Sequence, residues 1–237
     1  MSAPVRGDLL DLTPEALTAL ANAGFVKRAQ KDLAAGIRPR LEMDAGGALH
    51  AAFDDGTRTS LPPDRTLRDA QCNCAASGMC RHRVMLVLAY QAQQREQGAE
   101  AADTDGAASS AAAAAAADAE PEAWSPARFD DAMLAASFAP TVLDQAARLA
   151  ATRPAIAVQP WAGASVPPAA RLPMCSVRFF SRGSLAHARC DCKLGGGCVH
   201  VVLAVWAFRA AGELPPGGPE KVVELRAPST GAEADDA

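Results

Sequence analysis

The chain is poor in aromatic residues and contains no long apolar run. Only 5% of its residues are aromatic, with three Trp, seven Phe and one Tyr. Its most apolar stretches, residues 84–90 and 201–208, are far shorter than the roughly 20 residues that a membrane-spanning helix needs. Residues 1–30 show no basic start followed by an apolar run, so nothing indicates secretion. We therefore expect a cytoplasmic protein with no membrane segment.

The sequence also lacks the short motifs of common enzyme classes. It has no Gly-x4-Gly-Lys-Ser/Thr loop to cradle phosphates and no glycine-rich dinucleotide fingerprint. These absences argue against a nucleotide-dependent enzyme and give no reason to expect a small-molecule substrate.

Six of the seven cysteines fall in one pattern that occurs twice. The first copy is Cys72-Asn-Cys74, five residues, then Cys80-Arg-His82. The second is Cys190-Asp-Cys192, five residues, then Cys198-Val-His200. A displacement of 118 residues maps each Cys and His of the first copy onto its counterpart in the second.

Each copy offers three thiolates and one imidazole, which is the ligand set of a closed tetrahedral Cys3His zinc site. Sulfur donors favour zinc over calcium or magnesium, and four protein ligands leave no position for a reacting water. We therefore predict two structural Zn²⁺ ions and no catalytic residue. The predicted ligands are Cys72, Cys74, Cys80 and His82 in one site, and Cys190, Cys192, Cys198 and His200 in the other. Disulfides or inert buried cysteines are the alternative, which the odd cysteine count and the absence of a secretion signal disfavour.

Cys-x-Cys followed by Cys-x-His and an apolar stretch resembles the SWIM-type zinc finger. In that family a strand delivers the two cysteines and a helix begins near the histidine. The resemblance implies strands at residues 66–71 and 184–189, and helices at residues 83–94 and 201–211. It also implies a role in binding DNA or protein, often beside helicase-like ATPases or transposase-like proteins. No helicase motif occurs in this chain, so any ATPase would be a separate partner.

The fold class that we predict is α+β, with two repeated modules. Each module has N-terminal helices, a small antiparallel sheet and a zinc-bound hairpin that leads into a buried helix. Thr13-Pro14 and Ser125-Pro126 each place a capping hydroxyl before a proline, as at a helix start. Further helices are expected at residues 25–34 and 140–150. Strands are expected at 39–43 and 49–53 in the first module and at 155–159 and 176–180 in the second.

Charge and composition divide the chain into four parts. Residues 1–95 form the first zinc module and residues 124–212 the second, with 12 basic and 10 acidic side chains in the first and 9 and 4 in the second. Between them, residues 96–123 hold seven acidic side chains and no basic one, which indicates an alanine-rich linker. Residues 213–237 hold two basic and six acidic side chains and are predicted to be a disordered tail.

Two functions fit these features, and we favour the first over the second. The first is an adaptor that joins protein partners, such as parts of a helicase-like ATPase system. The second is a nucleic-acid-binding protein whose arginines contact phosphates. Those arginines and one lysine lie around the fingers, at Arg65, Arg68, Arg81 and Arg83 and at Arg178, Arg182, Arg189 and Lys193.

Three polar residues lie outside the pattern. Cys175 has no partner at zinc spacing and is interpreted as a small buried hydrophobic residue and not as a reactive thiol. His187 corresponds to Asp69 of the first copy and is interpreted as a surface residue or as a support for a ligand. His50 gives no functional argument.

Overall fold

A computed structural model describes residues 5–103, 123–163 and 165–226, and the side chains of residues 99–103 are excepted. The chain divides into two compact units, Met1–Glu122 and Ala123–Ala237. Each unit combines helices with one small antiparallel sheet, which confirms the predicted α+β class. No helix in the described ranges is both long and apolar enough to cross a membrane.

The first unit begins with three helices, α1 (Gly7–Leu10), α2 (Pro14–Leu20) and α3 (Ala23–Ala34). Helix α2 starts where the sequence indicates, because the Ala16 N–H donates to the Thr13 hydroxyl and Pro14 occupies the first helical position. Four strands follow, β1 (Arg40–Met43), β2 (Leu49–Ala52), β3 (Arg58–Leu61) and β4 (Gln71–Cys72). They pair antiparallel in chain order, and the long helix α4 (Arg81–Asp103) comes next.

The second unit repeats this arrangement and adds one strand. After a short 3-10 turn, Pro126–Arg128, come α5 (Asp131–Ser137) and α6 (Pro140–Ala150). The strands are β5 (Ala155–Gln159), β6 (Ala169–Arg171), β7 (Ser176–Arg178) and β8 (Arg189–Cys190), followed by helix α7 (Val199–Ala211) and strand β9 (Lys221–Glu224). The sheet order is β8-β7-β6-β5-β9, so β9 is the element that the first unit lacks among its described residues.

One apolar helix fills the core of each unit. Every residue from Val84 to Tyr90 of α4 is at most 8% exposed, and residues 201–205 of α7 are at most 3% exposed. A helix that is apolar on all sides is expected to be buried on all sides. In the second unit, Phe208 of α7 packs edge-on against Phe179, which stacks on Phe129.

A buried arginine, Arg6, forms hydrogen bonds to several separate segments of the first unit. The Arg6 guanidinium pairs with Asp8 at 2.8 Å and donates to the carbonyl oxygens of Gly47 and Leu61, each at 3.2 Å. The Arg6 backbone N–H donates to the hydroxyl of Tyr90 at 2.8 Å. These bonds connect the start of the chain to the sheet and to α4, and they satisfy a charge that would otherwise be costly to bury.

The strands before the fingers are much shorter than predicted. Of residues 66–71 only Gln71 is in a strand, and of residues 184–189 only Arg189. The Thr66 N–H and hydroxyl both donate to the Asp69 carboxylate, which turns the chain there. In the second unit the Ala186 N–H donates to the Ser184 hydroxyl and caps a 3-10 turn at Leu185–His187. Local side-chain hydrogen bonds thus compete with strand pairing.

Two predicted boundaries are wrong. Helix α4 continues to Asp103, inside the predicted linker 96–123, because residues 91–97 are strong helix formers. The predicted disordered tail 213–237 contains strand β9, which pairs with β5 and buries Val223 and Leu225. The rest of the linker, residues 104–122, and the rest of the tail, residues 227–237, lie outside the described residues.

Candidate metal centres

Each Cys3His group joins the last strand of the meander to the start of the buried helix. In the first unit, Cys72 ends β4, Cys80 directly precedes α4, and His82 is the second residue of that helix. In the second unit, Cys190 ends β8, and Cys198 is the N-cap of α7. The short loops between strand and helix carry Cys74 and Cys192. All eight predicted ligands therefore lie in two groups of four, as the sequence pattern indicates.

The donor atoms of each group are close enough to share one ion. In both groups all ligand atoms lie within 4.8 Å of one another. Cys72 Sγ is 3.9 Å from His82 Nδ1, Cys190 Sγ is 3.7 Å from His200 Nδ1, and Cys192 Sγ is 3.6 Å from Cys198 Sγ. A tetrahedral zinc centre with ordinary Zn–S and Zn–N bonds has ligand–ligand edges of about 3.5–3.8 Å. The groups fit zinc, and none of the seven cysteines, all within the described ranges, is in a disulfide.

The residue between the paired cysteines holds the hairpin in place. Asn73 Oδ1 accepts a hydrogen bond from the Arg58 N–H at 2.7 Å, and Asp191 Oδ1 accepts one from the Ser176 N–H at 2.8 Å. The two oxygens occupy the same position in the two units. This role was not recognised in the sequence, although a carbonyl or carboxylate oxygen at the middle position of both copies is a visible signal.

Hydrogen bonds favour the thiolate form of one partly exposed cysteine in each group. A bond from the Ala76 N–H, followed by one with His82, lowers the pKa of Cys74 to about 6. Burial, the largest influence on Cys192, opposes ionisation, but bonds with His200 and the Leu194 N–H outweigh it and lower its pKa to about 6. Thiolates bind zinc, so each group has one sulfur that is ready to bind the metal.

The deeper cysteines depend on the metal for their charge. Burial raises the pKa of Cys80 to about 11, and burial also raises the pKa values of Cys190 and Cys198. A buried thiolate needs a compensating positive charge, which a bound Zn²⁺ ion supplies. These sulfurs therefore hold zinc as part of the folded core.

The histidines present Nδ1 to the sulfurs, which leaves Nε2 facing away from the metal. In the first unit, His82 Nε2 lies 3.6 Å from a carboxylate oxygen of Asp55, in the turn between β2 and β3. The ring of His82 also packs edge-on against Phe53, with ring centroids 4.9 Å apart. The 3.6 Å separation from the carboxylate is longer than a hydrogen bond, so Asp55 acts on the imidazole of His82 through charge and not through a hydrogen bond.

Cys175 lies beside the second centre, which the sequence did not predict. Its sulfur, a ligand atom of Cys190 and a carboxylate oxygen of Asp191 all lie within 4.8 Å of one another. Cys175 is buried, as interpreted from the sequence, and burial raises the pKa of its thiol. Strand register explains the approach, because Val177 is opposite Cys190 and Cys175 lies two residues earlier on the same face.

His187, His50 and the arginines around the first finger also have defined surroundings. His187 is completely buried, so its interpretation as a surface residue is wrong. His50 Nε2 lies 3.0 Å from an Asp44 carboxylate oxygen. Among the arginines around the first finger, Arg81 lies 3.5 Å from Asp32 and 3.8 Å from Asp55, and Arg83 donates to the Arg68 carbonyl. These two guanidiniums are therefore partly engaged within the unit.

Fold and ligand geometry together define a zinc-binding α+β protein with two structural Cys3His centres. The SWIM zinc finger family model matches residues 60–91 and 174–208, which are the two strand-to-helix segments described above. The chain thus carries two SWIM zinc fingers and binds two zinc ions. This confirms the resemblance seen in the sequence.

A comparison with curated proteins places a similar stretch within a longer chain. Protein YehQ of Escherichia coli (strain K12) is 43% identical over 204 residues, which cover 86% of this chain. The matched region spans only 30% of that relative's length. No solved structure matches the chain.

Proposed function

We propose that the chain is a non-enzymatic adaptor that uses its two zinc-bound modules to hold protein partners. Four protein ligands for each ion leave no coordination position for a substrate or an activated water. Zinc instead links the last meander strand to the central helix, where it stabilises the surfaces around it.

Two exposed apolar side chains beside the second centre carry this proposal. Met174 is 91% exposed and directly precedes Cys175, and Leu194 is 75% exposed in the loop between Cys192 and Cys198. Both therefore flank the same zinc centre. Two large apolar groups exposed beside one zinc-held loop offer an apolar contact surface for a protein partner.

The corresponding positions of the first finger carry no large apolar group. At the displacement of 118 residues, Gly56 corresponds to Met174 and Ala76 corresponds to Leu194. The apolar pair is thus a property of the second finger and is not required by the zinc fold. A loop already held by zinc loses little conformational entropy on binding, which favours affinity.

The partner that we propose belongs to a larger assembly. In the Escherichia coli relative, a stretch similar to this chain makes up less than a third of the protein, as expected for an interaction module beside other domains. The resemblance to SWIM fingers favours a helicase-like ATPase system as that assembly. Two modules on one chain also raise the effective concentration of one partner near the other.

Affinity capture with a matched variant tests the adaptor function. We would immobilise the zinc-loaded full chain, expose it to nuclease-treated lysate of the organism that encodes it, and quantify retained proteins by mass spectrometry. The double variant Met174→Gln and Leu194→Gln should lose the stoichiometric partner. Ile37→Gln removes an exposed apolar side chain of the first unit, which is 52% exposed, and should retain the partner.

Two outcomes would contradict the adaptor function. One is recovery of nucleic acid alone from untreated lysate, with no stoichiometric protein. The other is equal retention of every protein by the double variant and the wild type, provided that both carry two zinc ions per chain.

A second candidate function is nucleic-acid binding, and the register of the second sheet favours it. Arg178 lies directly opposite Arg189, and Arg171 lies on the same face of the neighbouring strand β6. Arg178 is exposed, although Arg171 pairs with Glu220 at 2.5 Å. Anisotropy titrations with single- and double-stranded DNA and RNA at several salt concentrations test this candidate. Binding that weakens steeply with salt, and that Arg178→Gln reduces, would support phosphate contacts.

A further inference from the structure

The outer face of the first sheet contains a groove whose lining reaches the zinc ligand Cys72 at one edge. Helix α4 packs against the inner face, where Leu49, Ala51 and Leu61 are buried. Alternate residues of the same strands point to the opposite face and remain accessible. They line a groove of about 750 Å³.

Strand register places two arginines on either side of a small residue in this groove. Arg40 of β1 pairs with Ala52 of β2, and Ala52 pairs with Arg58 of β3. With strands about 4.8 Å apart, the two arginine Cα atoms are about 10 Å apart across the alanine. We name this feature, formed by Arg40, Ala52 and Arg58, the arginine groove.

Neither guanidinium of the arginine groove has an acidic partner in the described part of the chain. By contrast, Arg6, Arg38 and Arg81 of the same unit each lie within 4.0 Å of a carboxylate oxygen. A planar guanidinium presents several donors that match a carboxylate. Two such groups facing one gap form a site for an anionic group from another molecule.

The second unit has no equivalent groove. Counting outward from the cysteine strand, the positions of Arg40, Ala52 and Arg58 correspond to Ala157, Arg171 and Ser176. The central position is therefore filled by Arg171, which pairs with Glu220 at 2.5 Å. A small residue with an arginine on either side is thus found in the first sheet and not in the second.

The remaining lining favours a localised anion over a continuous polyanion. The neighbouring row of the same face runs Glu42, His50, Ser60 and Gln71, and His50 lies 3.0 Å from Asp44. The carboxylates of Glu42 and Asp44 at this end of the groove would repel the successive charges of a phosphate backbone. The lining also contains no Phe, Tyr or Trp on which bases could stack. Ser60 and Gln71 offer hydrogen bonds to a peptide backbone.

From these observations we propose that the arginine groove binds a short acidic segment of a protein partner, with a carboxylate placed between Arg40 and Arg58. The proposal rests on the adaptor function and adds a second contact surface to it. The apolar pair of the second finger and the arginine groove of the first would then hold chemically different segments.

Fluorescence anisotropy with a defined peptide tests the groove. The probe is a short fluorescein-labelled serine-rich peptide with a single Glu, compared with the same peptide in which Gln replaces that Glu. The zinc-loaded full chain should bind the acidic peptide and not the amide peptide. Arg40→Gln and Arg58→Gln should each weaken binding about tenfold, the effect of losing one hydrogen-bonded charge contact.

Two further variants separate the groove from net charge. Ala52→Arg adds a positive charge but fills the gap in the manner of Arg171, so we expect it to weaken binding. Arg65→Gln removes an exposed positive charge outside the groove and should leave binding unchanged. Every variant changes an exposed residue, and zinc content of two per chain checks that each one folds.

Each contrary result has a distinct meaning. Absence of acidic-peptide binding, or stronger binding by Ala52→Arg, would overturn the groove proposal. Binding of a single-stranded DNA probe that requires Arg40 and Arg58 would replace the peptide with a nucleic acid and also overturn it. If partner capture through Met174 and Leu194 persists in those cases, the adaptor function stands and only the groove fails.

Discussion

Replacing Leu225 with alanine tests whether residues 221–225 are part of the folded second unit. Leu225 is 1% exposed and lies in the core of that unit, just after strand β9. Its N–H donates to the Pro154 carbonyl at 3.0 Å, and Glu224 beside it pairs with Arg153. The substitution leaves this backbone hydrogen bond and this ion pair in place and removes only buried apolar side-chain volume.

The expected cost is large for a unit of this size. Leucine-to-alanine changes at fully buried sites destabilise proteins by about 2–5 kcal/mol, since the site collapses only partly. Whole domains have free energies of unfolding of only about 5–15 kcal/mol. At about 4–8 °C per kcal/mol, the Tm of the second unit should fall by at least about 8 °C.

Tryptophan fluorescence reports this transition selectively. The three tryptophans, Trp124, Trp161 and Trp206, all belong to the second unit. Thermal or urea unfolding of the zinc-loaded chain, followed at tryptophan, therefore measures that unit without interference from the first.

Val222→Ala is the matched control, because Val222 is on the same strand but 65% exposed. Its cost should stay below about 0.5 kcal/mol. Equal losses in the two variants, or no loss for Leu225→Ala, would refute the assignment of residues 221–225 to the sheet and its core.

The remaining predictions concern the metal centres and the buried polar groups. Complete removal of zinc by a chelator should unfold both units, which circular dichroism would detect, since zinc contributes about 10–16 kcal/mol to the folding of small zinc modules. Cys190→Ser should reduce zinc from two ions per chain to one by elemental analysis, whereas Cys175→Ser should leave two. Asp191→Ala should destabilise the second unit by about 1 kcal/mol in urea unfolding, because the Ser176 N–H loses its acceptor, while Asp191→Asn should be close to neutral. The buried side chain of Gln91 donates through Nε2 to the carbonyl oxygens of Leu9 and Leu12, at 2.7 and 2.8 Å. Gln91→Glu should destabilise the first unit by about 1–3 kcal/mol, measured by circular dichroism, because these oxygens then face a carboxylate.

Specific results would contradict these four predictions. An unchanged dichroism spectrum and melting curve after complete chelation would show that zinc is not structural. Loss of an ion in Cys175→Ser would make that thiol a ligand. Equal stability of Asp191→Ala and Asp191→Asn would show that the hydrogen bond from the Ser176 N–H to Asp191 does not stabilise the hairpin. Unchanged stability of Gln91→Glu would show that the two hydrogen bonds of the Gln91 side-chain amide do not stabilise the first unit.

The local features of this fold were predictable because local chemistry sets them. Helix α6 and strand β5 have the predicted bounds, Pro140–Ala150 and Ala155–Gln159. The first begins at a proline, and the second is a short β-branched segment between breakers. The four-residue ligand pattern was readable for the same reason, since few other arrangements bring three thiolates and an imidazole to one ion.

Three strands were not predicted from the sequence, and only β9 depends on a partner far along the chain. Strands β3 and β6 are short, with the sequences Arg58–Leu61 and Ala169–Arg171, and neither has a strong periodic pattern of its own. Strand β9 forms because it pairs with β5, more than 60 residues earlier. Such pairing is set by tertiary contacts that sequence periodicity does not contain.

Residue type and spacing along the chain are enough to predict the metal chemistry, the repeated pattern and the burial of the two apolar helices. Which side chains share a face depends instead on how the strands pair. Strand register brings Arg40, Ala52 and Arg58 together in one groove, although they belong to three different strands. It also brings Cys175 beside Cys190 of the second zinc centre. Because a shift of one residue moves every side chain of a strand to the opposite face, such neighbours follow from strand pairing and not from composition.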